Sequence, residues 1–186
     1  ALNERDTGVL PMLRGQRIGL LTNHTGRTCE GMSTLSALRE RDLDVSAVFS
    51  PEHGIEGKRE GDIESGETED KLPIHSLYGA IRRPSAEMLR GIDVLVCDLQ
   101  DVGARFYTYA STLAQCMEEC ASHDIAVFVL DRPNPISGEI IEGPLIDKDA
   151  RSFIGYLDVP IRHGMTLGEL ALLFQSDANL KLVLHI

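Results

Sequence analysis

The fold is decided by a short apolar run that passes directly into a polar turn, Val94-Leu95-Val96-Cys97-Asp98-Leu99-Gln100-Asp101-Val102-Gly103-Ala104-Arg105. Residues 94–97 are apolar at every position, which is typical of a strand buried on both faces of a parallel sheet. Residues 106–121 then repeat apolar side chains at helical spacing, in a stripe formed by Phe106, Tyr109, Leu113, Cys116, Met117 and Cys120. A strand, a polar turn and an amphipathic helix in this order predict one unit of an α/β domain.

The same alternation extends over much of the remaining chain. Apolar, β-rich runs occupy residues 17–21, 45–49 and 125–130, and helix-like segments occupy residues 32–41 and 84–89. Strands and helices that alternate at this pitch predict a Rossmann-like, doubly wound and mostly parallel sheet with helices on both faces.

The last third of the chain has a different character. Residues 131–159 are rich in Pro and Gly and are only weakly periodic. Thr166 and Glu169 then form the capping-box signature of a helix over residues 166–174. Residues 180–186 predict a final strand. Because no crossover follows that strand, we expect the chain to be a truncated domain of a longer protein.

The composition fits one globular domain and argues against several classes of protein. The 186 residues are 42% apolar and 25% charged, which is enough to build a core without disulfides or metals. The net charge of −11, with no Trp and no basic cluster, argues against nucleic-acid binding. No apolar run approaches the roughly 20 residues needed to cross a bilayer.

Two further features have simple structural interpretations. The four cysteines form no CxxC pair. Cys116 and Cys120 are one turn apart on a predicted helix, so we expect buried free thiols rather than a disulfide. Residues 56–70 are Gly-rich and charged, and we interpret them as a solvated loop, with a lid beside residue 52 as the alternative.

Polar side chains follow each of the first four predicted strands. Because ligands bind outside the carboxyl ends of the strands in an open parallel sheet, these turns predict a shared site. Pro51 ends strand pairing and Gly54 permits a sharp turn, so Glu52 and His53 are presented above the sheet. Glu52 is therefore the first candidate for proton transfer. The four turns are residues 22–26, 50–54, 98–105 and 131–135.

Several of these polar residues, and His163 further along the chain, also admit a structural explanation. Asn23 could cap the helix that follows it. Asp98 and Asp101 could cap the next helix or pair with Arg105, and His163 could simply abut the capped helix. These separate explanations do not account for polar residues in all four turns at one edge of the sheet.

Several ligand-binding motifs are absent from the sequence. The turn after the first strand carries one Gly rather than the three of a dinucleotide fingerprint, and residues 54–58 have the wrong spacing for a P-loop. We therefore expect no nucleotide site and no cofactor. No HxxxH or paired-Cys spacing predicts a metal, although His24, His53 and Asp101 could meet around an ion.

Six motifs, together and in order, carry a resemblance to a known family. The chain resembles the NamZ-like exo-β-N-acetylmuramidases, glycoside hydrolase family 171, formerly a domain of unknown function, over about residues 13–173. The motifs are Leu20-Leu21-Thr22-Asn23-His24-Thr25-Gly26, Phe49-Ser50-Pro51-Glu52-His53-Gly54, residues 98–109, Leu130-Asp131-Arg132-Pro133-Asn134-Pro135, Glu142-Gly143-Pro144 and Arg162-His163-Gly164-Met165-Thr166.

The resemblance implies a function and a domain organisation. Members of the family release N-acetylmuramic acid from the non-reducing ends of peptidoglycan fragments, in a cleft between a Rossmann-like catalytic domain and a C-terminal auxiliary domain. Residues 1–186 would be the catalytic domain, and the auxiliary domain would lie beyond them. The expected partners are peptidoglycan-derived muramic acid glycosides. Such substrates favour an extracytoplasmic location, secreted or periplasmic, with a cytoplasmic one as the alternative.

The resemblance also implies roles for individual residues. Glu52 would be the general acid, and His53 would tune that acid or contact the sugar. The second catalytic role could fall to Glu142, Asp98, Asp101 or the acetamido group of the substrate itself. Arg105 or Arg132 could meet the lactyl carboxylate that distinguishes muramic acid from glucosamine. The predicted substrate-binding residues are Asn23, His24, Asp98, Arg105, Tyr107, Arg132, Asn134 and His163.

Two other classes remain open at this stage. A metal-assisted hydrolase would need His24, His53 and an Asp around one ion. A non-catalytic cell-wall sugar-binding domain would keep the polar turns but would tolerate the loss of Glu52.

Overall fold

A single sheet organises the chain, of which the computed structural model describes residues 8–52, 54–55, 65–68 and 71–186. The strands are β1 (Arg17–Thr22), β2 (Asp44–Ser50), β3 (Gly66–Glu67), β4 (Pro73–Ser76), β5 (Val94–Asp98), β6 (Ala126–Val129) and β7 (Leu184–His185). The helices are α1 (Val9–Leu13), α2 (Thr34–Arg39), α3 (Tyr109–Ser122) and α4 (Leu167–Asp177), with a 3-10 turn at Lys148–Ala150.

The strand order is that of a doubly wound sheet. The strands lie in the order β3-β4-β2-β1-β5-β6-β7, and every neighbouring pair is parallel except β3 and β4. Without the short β3, the order along the chain is 3-2-1-4-5-6, as in Rossmann-like folds. The predicted α/β fold class is therefore confirmed. The winding reverses between β1 and β5, which makes their carboxyl ends the expected ligand crevice.

The sheet separates two apolar cores. Leu21 belongs to the core that includes Leu113 of α3 and Leu170 of α4. Its neighbour Leu20 belongs to the opposite core, which includes Leu38 of α2. Because adjacent residues of one strand point to opposite faces, a strand covered on both faces is apolar at consecutive positions. This arrangement explains the continuous apolar runs in the sequence.

Most predicted elements are present with shifted ends. The runs at residues 17–21, 45–49, 94–97 and 125–130 correspond to β1, β2, β5 and β6. The helix predicted over residues 166–174 is α4. Its capping box is complete, because Thr166 Oγ1 accepts from the Glu169 N–H at 3.2 Å and Glu169 Oε2 accepts from the Thr166 N–H at 2.8 Å. Residues 180–186 contribute only the two-residue β7.

Two helix predictions need correction. Residues 84–89 form a hydrogen-bonded turn, in which the Leu89 N–H donates to the Ser85 carbonyl at 3.1 Å, and no helix. The backbone bonds that follow run from the Arg90 N–H to the Glu87 carbonyl at 3.2 Å and from the Ile92 N–H to the Leu89 carbonyl at 3.1 Å. They span three residues, so the i to i+4 pattern of an α-helix does not continue. The predicted helix at 106–121 begins only at Tyr109, and Phe106 is 58% exposed rather than part of the buried stripe.

Three short elements were not predicted from the sequence. They are α1, β3 and β4. Part of the segment at residues 56–70, interpreted as a solvated loop, pairs with β4 as the exposed β3, while residues 56–64 and 69–70 lie outside the described part.

The thiols agree with the sequence interpretation. All four cysteines are free, with Cys97, Cys116 and Cys120 buried and Cys29 exposed. Within the described ranges, no helix has the length and apolar character required of a membrane span.

Candidate active site

Hydrogen bonds join the polar turns at the carboxyl ends of the parallel strands. Thr22 Oγ1, at the end of β1, donates to the Asp98 carbonyl of β5 at 2.9 Å. Thr25 Oγ1 accepts from the Gln100 N–H at 3.1 Å. Arg132, after β6, binds the Asp98 carboxylate. The turns predicted to converge therefore meet at one edge, on both sides of the reversal point between β1 and β5.

Glu52 lies at this edge, two residues beyond β2. The residue is half-buried, and its Oε2 accepts a 2.6 Å hydrogen bond from the Thr108 hydroxyl. Thr108 immediately precedes α3. The carboxyl of Glu52 therefore faces the start of that helix. His53, its predicted companion, lies outside the described residues.

Tyr109 lies near Glu52 and contacts the buried amide of Asn23 and the ring of Tyr107. Asn23 Nδ2 donates to Tyr109 Oη at 2.6 Å, while Asn23 Oδ1 accepts from the N–H and the hydroxyl of Thr25 at 2.9 and 2.6 Å. The rings of Tyr107 and Tyr109 meet edge to face, with centroids 4.5 Å apart. Burial, the contact with Tyr107 and the nearby charge of Glu52 all raise the pKa of Tyr109. The phenol of Tyr109 is therefore neutral.

Asp98 and Arg132 form a buried ion pair. Arg132 Nε donates to Asp98 Oδ1 at 2.7 Å, and Nη2 donates to Oδ2 at 3.0 Å. The hydroxyl of Thr34 also donates to Oδ2 in a short hydrogen bond. Asp98 is fully buried and Arg132 is 15% exposed. Each side chain is thus bound to the other, and their predicted sugar contacts stay predictions.

Asp101 pairs with His163 rather than with Arg105. His163 Nε2 lies 3.4 Å from Asp101 Oδ2, which also accepts from the Gly103 N–H at 2.7 Å. The Met165 N–H donates to His163 Nδ1 at 3.2 Å, which places the proton of a neutral ring on Nε2, facing the carboxylate. Both residues are buried, and Asp101 Oδ1 has no hydrogen-bond partner in the described part of the chain.

Three predicted site residues bind within the irregular segment of residues 131–166, and one of them, Arg105, ties that segment to the turn after β5. Arg105 Nη1 donates to the carbonyls of Pro144 and Val159 at 2.8 and 2.7 Å. Asn134 donates to the Met165 carbonyl at 2.9 Å. The Glu142 side chain is 63% exposed and is paired with Arg162 at 2.7 Å. The backbones of the same two residues also pair in an isolated antiparallel β-bridge. Glu142 therefore lies on an exposed part of the irregular segment.

His24 is exposed and lines a groove of about 420 Å³ beside the turn after β1. Asn23, Arg27, Ser33 and Ile55 also line it. This volume falls within the usual range of small-molecule sites. No group of three His, Cys, Asp or Glu side chains that could hold a metal ion occurs among the described residues, which do not include His53.

Residues 18–186 match the family model described as "Exo-beta-N-acetylmuramidase NamZ, N-terminal". The chain belongs to this family. The match begins at the second residue of β1 and covers the rest of that strand, the other parallel strands and the four polar turns, so it extends over the whole sheet edge described above.

Individual relatives agree with the NamZ family assignment. The chain is 44% identical over 172 residues to the peptidoglycan beta-N-acetylmuramidase NamZ of Bacillus subtilis, covering 90% of this chain and 42% of that protein. Crystal structures of two DUF1343 family proteins from Bacteroides fragilis superpose with TM-scores of 0.85 and 0.83, at 41% and 37% identity. They cover 94% and 97% of this chain, and the chain covers 45% and 49% of theirs. The chain thus spans less than half the length of these relatives.

Sequence reasoning missed two polar groups in this candidate site. Tyr109 was predicted only as an apolar member of the helix stripe, yet its hydroxyl contacts Asn23. Thr108 was assigned no role, yet its hydroxyl binds Glu52. Both lie within the family motif at residues 98–109, and this was the feature of the sequence that could have indicated a role for them.

Proposed function

We propose that this chain carries the general acid, Glu52, of an exo-β-N-acetylmuramidase acting on peptidoglycan-derived muramic acid glycosides. Family membership supports the reaction, as does the peptidoglycan beta-N-acetylmuramidase activity named for the B. subtilis relative. The observation that carries the assignment of Glu52 is its position. It is a half-buried carboxyl at the carboxyl edge of the sheet, hydrogen-bonded within the described residues only through Oε2.

The proposed reaction is hydrolysis of one glycosidic bond. Protonated Glu52 gives its proton to the glycosidic oxygen, the bond from that oxygen to the anomeric carbon breaks, and the electron pair stays on the departing sugar as its hydroxyl. Water supplies the hydroxyl that the anomeric carbon gains, and its remaining proton restores the acid. The transition state resembles an oxocarbenium ion, which a second group must stabilise.

For that second role we retain Asp101 and the acetamido group of the substrate, because the other two candidate carboxylates are already paired. Asp98 is poorly suited, because Arg132 and Thr34 occupy both of its oxygens. Glu142 is ion-paired with Arg162 on an exposed bridge. Asp101 keeps one buried oxygen without a partner in the described part of the chain.

We also propose that sugar binding involves the groove beside β1. Asn23 and His24 line it. Asn23 and Tyr107 both contact Tyr109, and Tyr109 is close enough to Glu52 for the carboxylate charge to raise its pKa. Arg105 and Arg132, predicted to meet the lactyl carboxylate, already bind two carbonyls and Asp98. Each arginine can therefore bind the lactyl carboxylate only through N–H groups that do not take part in these hydrogen bonds.

We propose that the active enzyme includes a second domain that faces this edge. The chain covers only 42% of the B. subtilis relative. In addition, the irregular segment next to the site exposes several apolar side chains, which a further domain would cover. They include Ile136, Ile140, Ile141, Leu145 and Ile161.

Replacement of Glu52 tests the proposal. In the full-length protein, Glu52→Gln keeps the shape of the side chain but cannot donate an acidic proton, so kcat on a β-N-acetylmuramide should fall by about 10²–10⁴-fold. Glu87→Gln, at an exposed position, is the matched control and should retain the wild-type rate.

Each competing class predicts a different result. Unchanged turnover by Glu52→Gln would overturn the acid role. Loss of wild-type activity on chelation would favour a metal-assisted hydrolase. Binding of muramic acid by a wild-type protein with no turnover would favour a sugar-binding domain.

A further inference from the structure

Thr108 occupies a helix-capping position without capping the helix. It is the N-cap residue of the 14-residue α3, yet its side chain makes no capping hydrogen bond. Threonine at an N-cap ordinarily adopts an extended conformation and accepts from a backbone N–H of the first turn. Thr108 instead has φ −76° and ψ −7°.

The other threonine N-cap of the described chain provides a direct comparison. Thr166 precedes α4 with φ −77° and ψ 168°, and its hydroxyl accepts from the Glu169 N–H at 3.2 Å. The same residue type at the same position thus caps one helix and not the other. The hydroxyl of Thr108 is used for something else.

The hydroxyl of Thr108 is directed at the carboxyl of Glu52. Its Oγ1 donates to Glu52 Oε2 at 2.6 Å, a length typical of the charge-assisted bond between a hydroxyl and a carboxylate. Thr108 is only 7% exposed, so water competes little for this bond. The bond links residues 56 positions apart in sequence and ties the turn after β2 to the start of α3.

We propose that Thr108 is a positioning residue that selects which oxygen of Glu52 carries the transferable proton. A hydroxyl that donates to Oε2 makes Oε2 the acceptor oxygen, so the proton of the carboxylic acid is on Oε1. It also fixes the plane of the carboxyl relative to the sheet edge. This inference rests on the proposed function of Glu52 as the general acid.

The helix does not need this hydroxyl for its own stability. Tyr109, the next residue, is bound by Asn23 at 2.6 Å, and the Thr108 carbonyl still accepts from the Thr112 N–H at 2.9 Å. Valine has nearly the shape of threonine but no hydroxyl, and serine keeps the hydroxyl without the methyl group. The two substitutions therefore separate hydrogen bonding from packing.

Three variants of the full-length protein test the proposal: Thr108→Val, Thr108→Ser and Glu52→Gln. On a β-N-acetylmuramide with a sugar leaving group, Thr108→Val should lower kcat by about 10- to 100-fold, the effect of one hydrogen bond to a charged group, with KM within about twofold. Thr108→Ser should retain most of the wild-type kcat. In a Glu52→Gln background, Thr108→Val should cause no further loss, because both act through one group.

The leaving group gives a readout that a merely structural role would not change. A 2,4-dinitrophenyl group departs without needing a proton, so the defect of Thr108→Val should shrink to a few-fold on that substrate. An equal loss of kcat on both substrates would overturn the positioning role.

Thermal unfolding supplies the matched control for capping. Thr166→Val removes a true cap and should lower Tm by about 2–4 °C, whereas Thr108→Val removes one hydrogen bond but no cap and should lower Tm by no more than that. Wild-type kcat in Thr108→Val, with collapsed kcat in Glu52→Gln, would overturn this inference and leave the proposed function intact. Wild-type kcat in Glu52→Gln would overturn both.

Discussion

At the scale of single residues, the Asp98–Arg132 pair dominates the electrostatics of the sheet edge. Asp98 is fully buried at the end of β5, and two N–H groups of Arg132 bind both of its oxygens. A carboxylate that loses its partner in such a place remains buried without a counter-charge. Arg132→Met should therefore lower the free energy of unfolding by about 3–5 kcal/mol, measured by urea denaturation.

The partner substitution distinguishes lost pairing from lost packing. Asp98→Asn combined with Arg132→Met removes both charges, and it should recover part of the stability lost in Arg132→Met alone. A loss below about 1 kcal/mol for Arg132→Met would mean that the pair behaves as a surface ion pair, contrary to its burial.

At the scale of elements, the reversal point between β1 and β5 depends on close approach of two chain segments. Gly26, in the turn after β1, has no room for a side chain. A Cβ there would lie 2.9 Å from the Asp98 carbonyl oxygen and would overlap the Thr22 hydroxyl. The turn is also fixed by hydrogen bonds of 3.0 Å from the Gly26 N–H to Asn23 and from the Thr34 N–H to Gly26.

Gly26→Ala should therefore force the ends of β1 and β5 apart. We expect a loss of about 1–3 kcal/mol in the free energy of unfolding, the usual penalty for overpacking, together with lower activity of the full-length protein. Gly8→Ala is the control, because a Cβ at Gly8 meets nothing within 4 Å. Equal stability of the two variants in urea would show that the turn relaxes easily.

The elements also show which sequence signals are reliable. The strands that line the site were predictable, because each is covered on both faces and is therefore apolar throughout. The strand β4 was not, because Pro73 and His75 interrupt its apolar pattern. The prediction of a helix over residues 84–89 was wrong, because a single hydrogen-bonded turn and a short helix have similar local sequences.

At the scale of the whole molecule, the sequence predicted which turns meet but not which side chains bind each other. The convergence of the turns follows from the local strand and helix pattern together with the general rule that ligands bind at the carboxyl ends of parallel strands. Partner choice does not, since Glu52 binds a hydroxyl 56 residues away and Asp98 an arginine 34 residues away. No local sequence pattern indicates which of two residues so far apart along the chain will bind each other. Hence Arg132 was predicted as a sugar contact, and Thr108 was given no role.

The three buried cysteines all lie in the core that α3 covers, and this predicts how the thiols respond to a labelling reagent. Burial raises the pKa of Cys120 to about 12, and burial also holds the pKa of Cys97 and Cys116 well above its usual value. Only a thiolate reacts with a disulfide reagent such as dithiobis(nitrobenzoate). At pH 8, the exposed Cys29 should therefore be the one thiol of the native protein that reacts fast, and the three buried thiols should react only slowly.

The slow reaction of the remaining three thiols then measures opening of the core that α3 covers. Cys97 lies on β5 and the other two lie on α3, so all three should react together, at a rate that rises with urea below the unfolding transition. Cys29→Ser should abolish the fast phase and leave the slow phase unchanged. More than one fast thiol in the native wild type would show that α3 separates from the sheet without global unfolding, and the start of α3 could not then hold Glu52 in a fixed position.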